Sequence, residues 1–385
     1  MSPLLTTGQI LRQFLPDYRE RHRLTPQQAK VAGLLCQCRT EALGGFRLAC
    51  DHCDYHTERY CSCRNRHCSQ CQKQASEQWL AERREDLLPV PYFHLVFTLP
   101  HRLNPWVQLH PDVLYGLLFK VVWHTLSAFG RDPKRLGGQL GMTAVLHTWG
   151  QNLSQHVHLH CLIPAGAFQA KTNEWHPAKS TYLFPVKALS RHFRGRMVHE
   201  LRVAFEDGRL PRLSGTDEVE ATLDQLMAGP WVVFARSTCR HTDRVVNYLA
   251  LYTHRIAISN GRLQRLEGDK VVFTYKDYAA GGANRLMHLH GVEFVRRLLL
   301  HVLPHGFMRI RHFGFLANCH RRQRLAAIRR CLAGSTGDPE PPTQQTTRIE
   351  YEIPVSVARK LQCPVCGQGQ LKVTGEIKLT RRRHH

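Results

Sequence analysis

Strict alternation of apolar and polar residues is clearest between Ala144 and Ala167, AVLHTWGQNLSQHVHLHCLIPAGA. Val157, Leu159 and Cys161 alternate with His156, His158 and His160, and Leu162-Ile163 continue the run, so the spacing predicts a strand with three histidines on one face. Met142 to Thr148 is a second β-prone run, and the polar segment Gly150 to Gln155 turns it back into a hairpin. His147 on one strand, with His158 and His160 on the next, makes a convergent cluster of three nitrogens. The plainer alternative is a histidine-rich, half-buried strand: the chain has 25 histidines and repeats His-x-His at 156/158, 158/160 and 288/290.

The flanking pattern predicts the frame of that hairpin. YFHLVFTLP from Tyr92 is an apolar strand ended by Pro100, and Pro105 to Phe129 is a helix with apolar positions at Val107, Leu114, Leu117, Leu118, Val121 and Val122. A helix near Val186 to Phe205, a strand at Trp231 to Ala235 and a helix from about Asp243 to His254 follow. This order predicts an α+β fold, an antiparallel, ferredoxin-like layer with helices on one side. The last helix puts Tyr248 and Tyr252 four residues apart on one face, a spacing that core aromatic pairs also use.

Helices are predicted at Thr7 to Arg23 and Gln74 to Leu88, strands at Val271 to Tyr275 and Phe307 to Phe315, and an amphipathic helix at Gly291 to Leu303. GSTGDPEPPTQQTT, 334 to 347, reads as a linker. The chain thus divides into a helix plus zinc-binding DNA-recognition module (1–88), the histidine layer (89–262), a C-terminal α/β extension (263–333), a linker (334–348) and a basic tail (349–385).

The module at 1–88 rests on cysteines. Eight of the 14 fall in C-x-C-x11-C-x2-C-x7-C-x-C-x4-C-x2-C from Cys36 to Cys71, a metal-ligand spacing that suits a reducing compartment better than disulfides do. Cys38, Cys50, Cys53, Cys63, His67, Cys68 and Cys71 are the candidate structural zinc ligands, with Cys36, Cys61, His52 and His56 nearby. Which ligands share an ion stays open, and redox chemistry is the alternative reading of a C-x2-C. The late CPVCG, Cys363 and Cys366, is either a half-site completed elsewhere or a simple turn.

Charge changes the picture again. Lys plus Arg number 53 against 30 acidic residues, a formal charge of +23 spread along the chain. A polyanion is the expected partner, and nucleic acid is favoured over a membrane because neither a basic amphipathic anchor nor an apolar span stands out. Arg64, Arg66, Arg255, Arg309 and Arg311 are the candidate DNA contacts, Arg309 and Arg311 sharing a strand face with Phe313. A merely soluble basic surface is the alternative. The N-terminus shows no signal-peptide pattern, and no helicase P-loop is found.

CRNRHCSQCQ, FTLPH (97 to 101), a histidine followed 11 and 13 residues later by His-hydrophobic-His in HLHCLIPAG, YLALYTHRIAISNGRL and FVRRLLLHVLPHGFMRIRHFGFLAN (294 to 318) together resemble the rolling-circle insertion-sequence transposases of family ninety-one, which are HUH endonucleases. The resemblance covers nearly the whole chain. It implies that 89–262 is a tyrosine nuclease domain that nicks single-stranded DNA at the element's ends through 5′-phosphotyrosine. His147, His158 and His160 fall on the metal ligands, and Tyr248 and Tyr252 on the paired nucleophiles. Magnesium or manganese is implied at the nuclease site, whereas ligand softness suits zinc or manganese. Single-stranded element ends and target DNA are the implied partners. A cytoplasmic, nucleoid-associated protein is expected, and homo-oligomerisation is left open. Two departures stand out: YCSC replaces the family's YNSC, making Cys61 an extra thiol, and His156 creates an overlapping His-x-His onto which a one-step shift of register is conceivable at the sacrifice of the 11/13 spacing. A replication initiator or relaxase of the same chemistry, and a non-catalytic zinc-dependent DNA-binding regulator, are the competing functions.

Overall fold

Thr6 and Thr25 each open a helix with a capping box, their hydroxyls accepting from the amides of Gln9 and Gln28 and those glutamines accepting in return. The computed structural model describes residues 5–72, 76–77, 85–178, 182–213, 215–237, 253, 255–278, 280–334 and 361–379. In chain order its elements begin with α1 (Thr7–Arg21), α2 (Pro26–Gln37), β1 (Gly45–Cys50), β2 (His56–Tyr60) and β3 (Tyr92–Thr98). Then come α3 (Asn104–Leu109), α4 (Pro111–Arg131), β4 (Gly141–Trp149), β5 (Gln155–Pro164), β6 (Gly166–Gln169), β7 (Glu174–Pro177), α5 (Val186–Glu206), α6 (Thr216–Ala228) and β8 (Val233–Ser237). The last are β9 (Leu263–Glu267), β10 (Lys270–Asp277), β11 (Ala283–His290), α7 (Gly291–Leu300), β12 (Ile310–Gly314), α8 (Arg321–Gly334), β13 (Leu361–Gln362) and β14 (Gln370–Ile377). Most of the expected helix Gln74 to Leu88 lies outside the described residues. So does the helix Asp243 to His254 apart from Thr253.

The fold mixes helices with antiparallel sheets. The central sheet has five strands in the order β12-β4-β5-β3-β8, every neighbour antiparallel. Alternation sorts its faces: Phe93, Leu95 and Phe97 of β3, Met142, Ala144 and Leu146 of β4, and Val157, Leu159, Cys161 and Ile163 of β5 all enter one core under α4 and α5. The expected helix Pro105 to Phe129 is interrupted at His110, because the residue before Pro111 is biased away from helical backbone. Among the described residues α4 alone is long and apolar enough to cross a membrane; its apolar face lies in this core. β12, expected in the C-terminal extension, is instead an edge strand of the central sheet, with Ile310 opposite Val145.

A second core joins α1 and α2 to β9–β11 and α7 and includes Cys38 and Cys68. A Cβ on Gly291 would lie 2.2 Å from the Phe14 ring, so α1 packs against the start of α7 at a distance only glycine permits. The tail does not stand apart: β14 pairs with β1 in a four-stranded sheet of order β13-β14-β1-β2.

Candidate functional site

The β4–β5 register sets His147 opposite His158 and Val145 opposite His160, while β3 sets Val96 opposite His160. His94, His147, His158 and His160 therefore occupy the sheet face turned away from α4 and α5. The ligand nitrogens of His147, His158 and His160 lie within 4.8 Å of one another. His156, on the same face, stands outside this group and pairs with His101, nitrogen to nitrogen, at 3.0 Å.

Neighbours choose which nitrogen faces the cluster. His158 Nδ1 donates to the His156 carbonyl at 2.8 Å, leaving the Nε2 lone pair available. His160 Nδ1 lies 2.8 Å from His94 Nε2, and the His147 ring stacks on Trp149 at 4.6 Å. Burial drives the pKa values of His158 and His94 down to about 4 and that of His160 further. The imidazoles of His158 and His160 are thus neutral at pH 7, the form that ligates a cation.

The turn before β5 is held from outside. Leu153 is fully buried in left-handed backbone (φ 62), and three consecutive carbonyls accept from Arg262 (Gln151), Arg297 at 3.1 Å (Asn152) and His301 Nε2 at 3.1 Å (Leu153). A cleft of roughly 470 Å³ opens above, lined by the three histidines, Arg255, Tyr275, Lys276 and a Tyr278 that is 72% exposed.

The arginines divide. Arg309 is buried and donates to the carbonyls of Thr253 at 2.6 Å and Arg255 at 3.1 Å. Its expected role as a DNA contact is corrected to an internal one: it holds the chain at the end of the expected tyrosine helix. Arg66 donates to Pro304 at 2.9 Å and to Phe307, and Arg311 donates to Met308 while its guanidinium lies 4.3 Å from the Phe119 ring centroid. Both are engaged by the fold where DNA contacts were expected. Arg64 and Arg255 are exposed. Tyr248 and Tyr252 lie outside the described residues.

Cys38, Cys63, Cys68 and Cys71 form one group, with sulfur separations of 3.5 to 3.7 Å. A zinc–sulfur bond of about 2.3 Å gives a tetrahedron with edges of roughly 3.8 Å, so the group has the dimensions of a tetrathiolate zinc site. Hydrogen bonds from Cys63 and Cys68 pull Cys38 down to about 2, and the Cys38 contact pushes Cys63 up to about 12. Cys50 and Cys53 belong to a second group with Cys363 and Cys366, which were not among the expected ligands. His67, expected among them, stands outside both groups; desolvation pushes it down to about 3. Sequence reasoning also missed His94, although its placement out of phase with Phe93, Leu95 and Phe97 marks it as facing the histidine side of the sheet.

Residues 141–324 match a protein family described as "Putative transposase", and residues 10–99 match one described as "Transposase zinc-binding domain". The chain is 42% identical over 376 residues to the "Putative transposase y4qJ" of Sinorhizobium fredii, spanning 96% of this chain and 94% of that one. It is 28% identical over 381 residues to the "Transposase for insertion sequence element IS801" of Pseudomonas savastanoi pv. phaseolicola, spanning 95% and 90%. No solved structure matches the chain.

Proposed function

The chain belongs to the transposases of the IS91/IS801 type, and from that membership we propose that it nicks single-stranded DNA at the ends of an insertion sequence and transfers strands through 5′-phosphotyrosine in a rolling-circle cycle. The observation that carries this reading is the convergence of His147, His158 and His160 at the floor of a cleft lined by Arg255 and Lys276. The central sheet is then the ferredoxin-like HUH layer.

Three imidazoles, with the far nitrogens of His158 and His160 held by the His156 carbonyl and His94, are a donor set that fits a divalent ion with open positions, and manganese satisfies both the family and the donor chemistry. Such an ion supplies charge stabilisation at the scissile phosphate when bound. Arg255 and Lys276 draw the strand into the cleft, and the exposed ring of Tyr278 offers a base a stacking surface. Tyr248 or Tyr252 attacks phosphorus, the P–O3′ bond breaks, the phenol loses its proton and the departing 3′ oxygen gains one. The bond energy is kept in the phosphotyrosine, so a 3′ hydroxyl reverses the step on another strand without ATP. A second tyrosine lets two covalent ends be held in turn. Arg309 acts as a positioning residue, since its guanidinium anchors the carbonyls that follow the tyrosine segment.

The structural zinc of the N-terminal module sits at Cys38, Cys63, Cys68 and Cys71 in this account. A replication initiator and a non-catalytic regulator are not favoured by the transposase relatives. Labelled single-stranded DNA from the element's ends, incubated with the protein and manganese, is expected to yield a covalent adduct in denaturing gels. No adduct with or without manganese, from protein that binds the same strand, contradicts the proposal.

A further inference from the structure

Cys363 and Cys366 have no second cysteine pair after them, yet the fold gives them partners from the far end of the chain. Cys363 Sγ lies 3.7 Å from Cys53 Sγ, 310 residues away, and Cys366 Sγ lies 3.8 Å from Cys50 Sγ, 316 residues away. These separations are far beyond the roughly 2.05 Å of a disulfide and match the edge of about 3.8 Å expected for four sulfurs around zinc.

The surroundings are built for the same purpose. Cys50–Cys53 forms the turn between β1 and β2, and Cys363–Cys366 the turn between β13 and β14, so two hairpins present one knuckle each from the same end of one sheet. Backbone amides support the sulfurs: His52 N–H points at Cys50 Sγ and Gly369 N–H at Cys366 Sγ, both at 3.3 Å. A Cβ on Gly369 would meet Cys50 Sγ at 2.3 Å and the His52 Cβ at 2.7 Å, so glycine is what allows the knuckles to meet. Asp51 accepts from the Gln370 amide at 2.7 Å and pairs with Lys372 at 3.3 Å, which registers one hairpin on the other. An ordinary turn at CPVCG requires none of these contacts. Four thiolates select zinc over the oxygen-seeking magnesium or manganese of a nuclease centre.

We infer that Cys50, Cys53, Cys363 and Cys366 bind a second structural zinc ion, which clasps the carboxyl-terminal segment onto the N-terminal module and makes that module a joint product of both chain ends. The region matched as a zinc-binding domain, 10–99, holds only half of this site. The inference is independent of the nuclease chemistry, because neither the histidine cluster nor the tyrosines enter it.

The test is the zinc content of the purified full-length chain, read by a colorimetric chelator after denaturation. Wild type is expected to release two equivalents. Cys363→Ser and the double variant Cys50→Ser/Cys363→Ser should each release one, Cys68→Ser/Cys363→Ser none, and the control Cys319→Ser, an exposed cysteine outside both groups, two. A Cys363→Ser protein that keeps two equivalents, or a wild type that holds one, overturns the clasp. Should the variants fail to fold, the wild type carries the test through alkylation mapped by mass spectrometry. Cys363 and Cys366 should be protected together with Cys50 and Cys53 and open with them on chelation, while exposed Cys61 and Cys319 react throughout. Reaction of Cys363 in zinc-loaded protein at the rate of Cys319 overturns it equally.

Discussion

His94 Nε2 and His160 Nδ1 lie 2.8 Å apart with their rings stacked at a centroid separation of 5.1 Å. When His160 Nδ1 keeps its proton and donates it to His94, its Nε2 lone pair is left for the cluster. A neighbour on the next strand therefore orients a ligand of the proposed metal site. Replacing His94 by Phe keeps a ring and removes the acceptor. Metal affinity is expected to fall by about 10- to 100-fold, the usual cost of losing such a partner. Manganese titration of adduct formation checks it: excess metal should restore cleavage, and single-stranded DNA affinity should stay unchanged. An unaltered manganese midpoint would remove His94 from the site.

Arg309 offers a second test, because its buried guanidinium serves backbone carbonyls. Arg309→Met removes the guanidinium that donates to the Thr253 and Arg255 carbonyls, at a cost of about 1–3 kcal/mol. The variant should melt earlier and form adduct poorly while the salt dependence of DNA binding keeps its slope. A reduced slope with unchanged melting would return Arg309 to the role of phosphate contact.

His301 should contribute to acid unfolding, beside the likewise depressed His94 and His158. Burial lowers its pKa to about 4, against the weaker opposing effect of its bond to the Leu153 carbonyl, while the unfolded imidazole titrates near 6.5. The unfolded chain binds the extra proton, so this contribution is complete above about pH 6.5 and is lost as pH falls toward 4, roughly 3 kcal/mol in all. Urea melts at several pH values should show this loss. His301→Gln should flatten the curve over that window, and an equally steep curve in the variant would assign the acid transition to other groups.

The formal charge of +23 implies DNA binding that weakens steeply with salt, with a log–log slope of roughly −0.7 per phosphate contact on single strands. Arg64→Ala and Arg255→Ala, both at exposed positions, should each reduce that slope. Arg66→Ala, which removes donors to Pro304 and Phe307, should cost stability and leave the slope in place. Affinity independent of salt would contradict a polyanion-binding role for the charge.

What the chain discloses unaided follows from how local each signal is. The β4–β5 hairpin was legible because strict alternation puts Val157, Leu159 and Cys161 in the core and the histidines opposite. Long apolar helices were legible too, apart from the break that Pro111 imposes at His110. Pairings between distant segments were not. CPVCG reads as a turn or a half-site, and nothing in its spacing says that β14 will lie against β1. Phe307 to Phe315 reads as a strand without revealing that β4 is its partner. Charge counting failed for a related reason: it marks arginines as basic without distinguishing the buried Arg309 from the exposed Arg64.

The central claim is that Tyr248 and Tyr252 perform the chemistry beside the histidine cluster. Its most direct measurement is covalent adduct formation by Tyr248→Phe/Tyr252→Phe on labelled single-stranded element ends with manganese, since phenylalanine keeps the ring and removes the attacking oxygen. The account predicts that the double variant folds, binds the strand with wild-type affinity and forms no adduct, while each single variant still nicks through the remaining tyrosine and fails to complete strand transfer. A protein–DNA covalent complex from the double variant would contradict it.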